Sequence, residues 1–306
     1  MKLSELISEK ELKKHGLTKN QFAQITGISH TYLNAIRDDK IKRPGRDKII
    51  TIGLGLNLKL DEINSLLLTN KDIEICEDDI EIFIEAANKR TIAGTQPLYD
   101  LINFDLLMIS LESLDGDEIV VNNKLSRSLT PLDYVRLEAE NSEVDNTIYP
   151  QLCVAFVKKR KELLDSLLSR NHKLELFICH NCFLEYIDSN QFDYDKKYKI
   201  EHLENTLTYL EKHQNYTINF TEQCPFLRFE LKYIPGAKNK VFFIGTSAHD
   251  KISKHDRLYG FATDTQSVFN SLELEYKKII THSIKYSELK DVSDEIKKGI
   301  IKLKKK

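Results

Sequence analysis

The sequence lacks any apolar run that approaches the length of a membrane-spanning helix, so we expect no contact with a membrane. Its first residues, MKLSELISEKELKK, carry no apolar stretch behind the lysine, so we expect no secretory signal. Cysteine is scarce as well: the 306 residues contain five, an odd number in a chain of this length, which argues against a disulfide framework. These absences predict a cytoplasmic protein.

Internal repeats and low-complexity tracts are also missing, apart from the terminal KLKKK. The length exceeds that of a usual single domain, so two or three domains are expected. Residues 70–149 contain 18 acidic and 6 basic side chains, whereas the parts before and after are net basic. We interpret the acidic segment as a solvated helical face, or as a segment that repels DNA. The pattern predicts three units with different partners: residues 1–70, an acidic connecting segment over 71–149, and residues 150–306, which we expect to sense a ligand or dimerise.

Two short amphipathic segments meet at Gly27 within the stretch LTKNQFAQITGISHTYLNAIRDDKIKRP, residues 17–44. Thr18 can cap the first helix, since its hydroxyl can accept from an amide of the first turn, and Ser29 can cap the second. Gly27 supplies the positive φ of a sharp turn between them. A cationic strip, KIKRP, follows the second helix. Two helices joined in this way, with polar groups at the start of the second, are typical of a helix that reads the major groove of DNA.

The same residues resemble the phage-repressor and Cro type of helix-turn-helix, the XRE family, over about residues 4–69. The features that match are LT before the second helix, AQ inside it, glycine at the turn, a polar cluster that opens the third helix, and KxKRP after it. The resemblance implies an all-α five-helix domain like that of lambda repressor, which binds a double-stranded DNA operator as a homodimer. The side chains expected to contact base edges or phosphates are Lys19, Ser29, His30, Thr31, Tyr32, Asn34, Lys40, Lys42, Arg43 and Arg46.

Two features of the middle segment are similar to self-cleaving repressors. These are the Ala93-Gly94 bond and the sequence DGDEIVV at residues 115–121. The Gly-x-Ser-Met type of turn that would carry the nucleophile is missing, because the chain there reads LLMISLES. We therefore reject self-cleavage and predict a turn at Asp115-Gly116-Asp117.

The composition changes from about Pro150 onward. Helical stretches alternate with apolar, β-branched or aromatic ones, and the stretches LELFI, YTINF, LRFELKYI and KVFFIG are predicted strands. Strands mixed with helices predict a C-terminal α/β domain packed in layers. The whole chain is thus expected to have a mixed α and α/β fold, with an acidic helical segment between its two domains.

A CxxC motif, Cys179-His180-Asn181-Cys182, follows the strand LELFI directly. Such a motif between a strand and a helix can hold a redox-active thiol whose pKa the helix N-terminus lowers. It can also supply half of a zinc site, which needs further ligands, and Cys224 and His202 are the candidates. The alternative is that both cysteines simply pack under a loop.

The stretch HDKISKHD contains His249, Lys251 and Asp256 in the order H-x-K-x4-D. This is the spacing of the phospholipase D-like phosphodiesterases, and the resemblance implies that the histidine attacks phosphorus while the lysine stabilises the phosphate charge. The intervening ISKH is polar, whereas the family has a mostly apolar strand there. One copy is present, so a second subunit would have to complete the active site. The other interpretations are a chance match, and a phosphate site that binds a nucleotide signal without catalysis.

These observations predict a repressor-like transcription regulator that is not an enzyme. Its partners would be a DNA operator, a second copy of itself and a small-molecule or nucleotide effector. No cofactor is expected, and no catalytic or metal-binding residue is assigned. The alternatives are a phospholipase D-like phosphodiesterase or nuclease that a helix-turn-helix targets to DNA, and a thiol or metal sensor that uses Cys179 and Cys182.

Overall fold

The protein is described by a computed structural model, which covers residues 2–98, 101–142, 144, 146–189, 195–244, 260–282 and 289–305. These residues form a mixed fold of helices and one sheet. The helices are α1 (Leu3–Leu6), α2 (Glu9–Lys14), α3 (Lys19–Thr26), α4 (His30–Arg37), α5 (Arg46–Gly55), α6 (Leu60–Thr69), α7 (Ile80–Lys89), α8 (Leu101–Glu112), α9 (Leu132–Glu140), α10 (Tyr149–Ser169), α11 (His180–Asp188), α12 (Asp195–Lys212), α13 (Gln266–His282) and α14 (Leu289–Lys305). The strands are β1 (Thr95–Pro97), β2 (Asp117–Asn122), β3 (Leu174–Cys179), β4 (Tyr216–Thr221), β5 (Arg228–Tyr233), β6 (Lys240–Ile244) and β7 (Gly260–Thr263).

Local sequence signals determine the ends of α3 and α4. The Thr18 hydroxyl accepts from the Gln21 N–H at 3.2 Å, while Gln21 Oε1 accepts from the Thr18 N–H at 2.9 Å, so the two residues form a capping box. α3 ends at Gly27, whose φ is 63°. The Ser29 hydroxyl then accepts from the Tyr32 N–H at 3.3 Å and begins α4. The caps and the glycine turn are therefore where the sequence predicts them.

The N-terminal helices share a hydrophobic core with later parts of the chain. One cluster of buried side chains runs from Leu3 in α1 to Val157 in α10 and includes residues of α7, α8 and α9. The acidic stretch over residues 71–149 also supplies β1 and β2 to the sheet. It is thus an integral part of the fold rather than a connector. Some of its charges lie outside, since α7 exposes Glu81 and Glu85 and buries its apolar face. Others, namely Asp79, Asp105 and Glu118, are buried within the fold.

The seven strands form one sheet in the order β1-β7-β6-β5-β2-β3-β4. β2, β3 and β4 are parallel neighbours, and every other pairing is antiparallel. The strands predicted from LELFI, YTINF, LRFELKYI and KVFFIG are confirmed as β3 to β6. β1 and β2 were not predicted. The glycine of the expected turn before β2, Gly116, has a φ of 131°.

Helices cover both faces of the sheet. On one face, Phe269 and Leu272 of α13 pack against Phe177 and Phe229. On the other face, apolar residues of α10, α12 and α14 pack against β3 and β4, and α8 packs against Phe242 of β6. The result is a helix-sheet-helix arrangement.

Within the part of the chain that the structure describes, no helix has the length and apolar character needed to cross a bilayer.

Candidate functional site

Seven strand ends meet at one edge of the sheet, which we call the carboxyl edge. The parallel strands β2, β3 and β4 all end there, and the antiparallel registers bring the start of β5, the end of β6, the start of β7 and the end of β1 to the same edge. In open sheets that contain parallel strands, ligands bind in the crevice outside the carboxyl ends of those strands. The strand residues at this edge are Pro97, Asn122, Cys179, Thr221, Arg228, Ile244 and Gly260.

The H-x-K-x4-D motif belongs to the chain between β6 and β7. His249, Lys251 and Asp256 lie outside the residues that the structure describes. The two flanks of that segment are described: Ile244 pairs with Gly260 in the register of β6 and β7. The chain therefore leaves the sheet towards the motif, and returns from it, at the carboxyl edge.

A buried cation lies at the carboxyl edge. Arg228, the first residue of β5, is 6% exposed. Its Nη1 donates to Asn123 Oδ1 at 3.4 Å, just after the end of β2. In the sheet register Arg228 is opposite Ile244, the last residue before the motif segment. A guanidinium in this position favours an anionic group at the edge, because burial reduces the screening of its charge.

The carboxyl edge also brings three cysteines together. Cys179 ends β3 and precedes α11, Cys182 lies in the first turn of α11, and Cys224 lies in the loop after β4. All three Sγ atoms lie within 4.8 Å of one another, and Cys182 Sγ is 3.5 Å from Cys224 Sγ. Cys224, one of the two additional ligands considered from the sequence, thus joins the CxxC motif.

His202, the other additional ligand considered, is not part of this cluster. Its Nδ1 is 3.0 Å from the Tyr186 hydroxyl and its Nε2 is 3.0 Å from the carbonyl oxygen of Ser126. Burial lowers the pKa of His202 to about 4, so the ring is neutral at neutral pH. His202 is a hydrogen-bonded core histidine.

Buried charges that the sequence did not reveal lie between the sheet and the helices α8 and α10. Arg160 of α10 binds both carboxylate oxygens of Glu112, with a shortest distance of 2.7 Å. Lys232 of β5 binds Glu118 of β2 at 2.8 Å. Glu230 is 4% exposed, and its Oε1 has no hydrogen-bond partner among the described residues. Burial, together with the nearby carboxylates, raises the pKa of Glu230 well above its ordinary value.

Several residues predicted to contact DNA are accessible. His30 and Thr31 are exposed at the start of α4, where His30 Nε2 lies 2.9 Å from Asn20 Oδ1. The exposed basic side chains of the loop between α4 and α5 are Lys40, Lys42 and Arg43. These residues stay candidates for contact with nucleic acid.

Others already have roles in the fold. The Ser29 hydroxyl caps α4, and Tyr32 packs partly against the N-terminal core. Lys19 Nζ lies 3.2 Å from Glu9 Oε1, and Asn34 is half-buried. Such contacts limit the freedom of these side chains to reach a groove.

Arg46 is the first residue of α5, and the chain itself occupies its guanidinium. Two N–H groups donate to the carboxylate of Asp79, at 2.7 and 2.6 Å, and a third donates to Asp72 Oδ1 at 2.8 Å. The carbonyl oxygens of Ile73 and Glu74 accept the other two bonds, at 2.6 and 2.7 Å. A guanidinium has five N–H donors, so none is left for a phosphate. This occupancy argues against the phosphate contact predicted for Arg46.

No family model and no curated protein matches the sequence. Among solved structures, the chain is similar to NucT from Helicobacter pylori, with 11% identity and a TM-score of 0.35, over 62% of this chain and 97% of that one. It is also similar to phosphatidylserine synthase from Haemophilus influenzae Rd KW20, with 11% identity and a TM-score of 0.37, over 69% of this chain and 44% of that one.

These comparisons contradict the prediction of a repressor-like transcription regulator that is not an enzyme. No family model supports membership of the XRE family. The prediction rested on about 65 residues at one end of the chain, and such a module can be joined to a catalytic domain as well as to a sensing one.

Proposed function

We propose that this chain is a phospholipase D-like phosphodiesterase that cleaves nucleic acid, with the motif of His249, Lys251 and Asp256 at its catalytic centre. The observation that carries the proposal is where the motif joins the fold. The segment that contains it is held at both ends, through Ile244 and Gly260, at the carboxyl edge of the sheet. A motif matched by chance could fall on any surface loop, whereas the segment with this motif joins the sheet at the edge where sheets of this kind bind ligands.

The proposed reaction proceeds in two steps. A ring nitrogen of His249 attacks the phosphorus of a phosphodiester, so that an N–P bond forms as one P–O bond breaks, and the departing oxygen takes up a proton. Water then attacks the same phosphorus, breaks the N–P bond and releases the phosphomonoester. Lys251 stabilises the charge on the non-bridging oxygens.

A second chain completes the active site in this proposal. The motif occurs once in the sequence, and the departing oxygen needs a proton donor on the side opposite the attacking histidine. A homodimer in which the carboxyl edges of two copies face each other would supply the second histidine.

The N-terminal helices support nucleic acid as the substrate. The exposed cations Lys40, Lys42 and Arg43 lie in the loop that follows α4, and such a group of cations binds phosphates without regard to sequence. His30 and Thr31 would then lie nearest the bases. In this proposal the helical unit brings the substrate to the enzyme, and a preference for particular sequences would come from α4.

A cleavage assay tests the proposal. End-labelled single-stranded DNA, duplex DNA and RNA are each incubated with the purified protein in buffer without divalent ions, and phosphatidylcholine vesicles form a parallel sample. The wild type is compared with His249→Ala and with His255→Ala, a matched control six positions further along the same segment. We expect cleavage of nucleic acid by the wild type and the control, and a loss of about 10³-fold or more in His249→Ala.

Equal cleavage by His249→Ala and the wild type would refute the assignment of the nucleophile. Hydrolysis of the phospholipid without cleavage of any nucleic acid would support the phosphodiesterase activity but refute nucleic acid as its substrate.

A further inference from the structure

The three cysteines at the carboxyl edge come from two separate parts of the chain. Cys179 and Cys182 belong to the corner between β3 and α11, and Cys224 follows β4, 42 residues after Cys182. The parallel register of β3 and β4 places Cys179 opposite Thr221, three positions before Cys224. The Thr221 hydroxyl donates to the carbonyl oxygen of Gln223 at 2.8 Å and so fixes the turn that presents Cys224.

The spacing of the three sulfurs fits a metal ion with thiolate ligands. With Zn–S bonds of about 2.3 Å, sulfurs in a tetrahedral zinc site lie about 3.8 Å apart. Here all three Sγ atoms lie within 4.8 Å of one another, and Cys182 Sγ lies 3.5 Å from Cys224 Sγ. Shifts of no more than about 1 Å would therefore convert this cluster into a coordination site. A disulfide of about 2.05 Å would pair two of the sulfurs and leave the third without a role.

The cluster lies largely inside the fold. Cys179 is fully buried, Cys182 is 8% exposed and Cys224 is half-buried. Thiol ligands are deprotonated by the metal ion that they bind, so uptake of a metal ion at this cluster releases protons.

We propose that Cys179, Cys182 and Cys224 bind one Zn²⁺ ion, with the fourth coordination position open to solvent on the half-buried side of Cys224. Three soft thiolates select zinc over magnesium or calcium. The described residues offer no fourth histidine, cysteine or carboxylate within the cluster. The ion would join the corner of β3 and α11 to the loop after β4, and it would stabilise the carboxyl edge whether or not the chain is a phosphodiesterase.

Titration of the full-length protein with Co²⁺ tests the site. The protein is reduced with a phosphine, freed of metal with a chelator and titrated while absorption from sulfur-to-cobalt charge transfer is recorded in the near ultraviolet. We expect saturation at one Co²⁺ per chain, complete displacement by one equivalent of Zn²⁺, and weaker binding as the pH falls because protons compete for the thiolates. Zn²⁺ should also raise the melting temperature by several degrees.

Single serine variants locate the ligands. Cys179→Ser, Cys182→Ser and Cys224→Ser should each lower the affinity for Zn²⁺ by more than the roughly 10- to 100-fold that loss of an outer-shell partner costs. The matched control is Cys76→Ser, at a half-buried cysteine outside the cluster. Absence of charge-transfer absorption in the folded wild type, or an affinity unchanged in Cys224→Ser, would overturn the proposal.

Alkylation of the wild type gives a second readout that does not depend on whether the variants fold. Bound Zn²⁺ should slow the reaction of Cys182 and Cys224 with iodoacetamide, while Cys76 reacts at an unchanged rate, as measured by peptide mass spectrometry. If Zn²⁺ slowed the reaction of Cys76 by the same factor, or left the rates of Cys182 and Cys224 unchanged, the proposed site would be wrong. A Cys182–Cys224 disulfide in a protein that takes up no metal after reduction would also overturn the site. No part of the test depends on cleavage activity, so failure of the metal site and failure of the phosphodiesterase are distinguishable.

Discussion

Replacing Arg46 by alanine should destabilise the protein strongly, because Arg46 joins α5 to the segment before α7. Its five N–H groups make hydrogen bonds to Asp79, Asp72 and two carbonyl oxygens. The Asp79 side chain is 4% exposed, while the Arg46 side chain is 21% exposed. The substitution would leave a buried carboxylate without its cation, a change that generally costs more than the loss of the hydrogen bonds alone.

The expected loss in the free energy of unfolding is about 3–5 kcal/mol, the range for breaking a buried ion pair by removing one partner. At about 2 °C per kcal/mol for a chain of this size, the melting temperature should fall by roughly 6–10 °C. Urea unfolding followed by circular dichroism measures the first quantity and calorimetry the second. Arg43→Ala is the matched control: Arg43 is exposed three positions earlier, and its removal should change stability by no more than about 0.5 kcal/mol.

The pH dependence of the Arg46→Ala effect provides a further check. Burial raises the pKa of Asp79, but the hydrogen bonds from Arg46 and from the Cys76 N–H outweigh burial, so the net pKa lies below the ordinary value. A lowered pKa contributes stability that is present above about pH 4 and lost as the pH falls through the folded-state value. The difference between wild type and variant should therefore shrink below about pH 4. A loss of less than about 1 kcal/mol at neutral pH would refute the structural role given to Arg46.

Three further predictions follow from the structure. Glu230→Gln should raise the free energy of unfolding by about 1–3 kcal/mol at pH 8, because a buried carboxyl with a raised pKa makes the folded protein less stable as the pH rises above about 4.5. Urea unfolding should show that this gain vanishes near pH 4, and a lower free energy of unfolding in the variant at pH 8 would contradict the prediction. Gly116→Ala should lower the free energy of unfolding by about 3 kcal/mol or more, since φ is +131° and a Cβ would lie 1.8 Å from the carbonyl oxygen of Tyr233. Gly236→Ala, at φ +72° in open space, should lower it by about 1 kcal/mol, and equal melting temperatures of the two variants would contradict this. Arg43→Ala should reduce the salt slope of nucleic-acid binding by about 1, measured by fluorescence anisotropy, and an unchanged slope would remove Arg43 from the proposed interface.

Features that depend on neighbours in sequence could be predicted well. The capping of α3 by Thr18, the positive φ of Gly27 and the cap at Ser29 all depend on residues at most four positions apart. Strands β3 to β6 were predicted for the same reason, since their β-branched and aromatic residues are contiguous. β2 was not predicted, because its apolar part, IVV, is short and follows the turn at Gly116 almost directly.

Features that depend on the register of distant strands could not be predicted. Cys224 joins the CxxC motif because β3 and β4 are parallel and aligned, and the sequence does not show that alignment. The carboxylates that bind Arg46 lie 26 and 33 residues away from it. In the sequence, Arg46 therefore looked like another cation of the basic loop.

Function was the hardest feature to infer, because the two motifs in the chain favoured different classes of protein. The helix-turn-helix features around Gly27 involve many neighbouring residues, whereas the motif of His249, Lys251 and Asp256 consists of three residues in a polar stretch. The position of its flanks at the carboxyl edge became visible only with the sheet topology. That position is the reason why we base the proposed function on the motif of His249, Lys251 and Asp256.

The measurement that tests the central claim most directly is the capture of the covalent intermediate. The protein is mixed with a short oligonucleotide, quenched in alkali, which preserves phosphohistidine bonds, and digested for mass spectrometry. The account predicts a nucleotidyl group on the peptide that contains His249 in the wild type and in His255→Ala. Cleavage of the oligonucleotide without any adduct on His249, or an adduct that persists in His249→Ala, would contradict it.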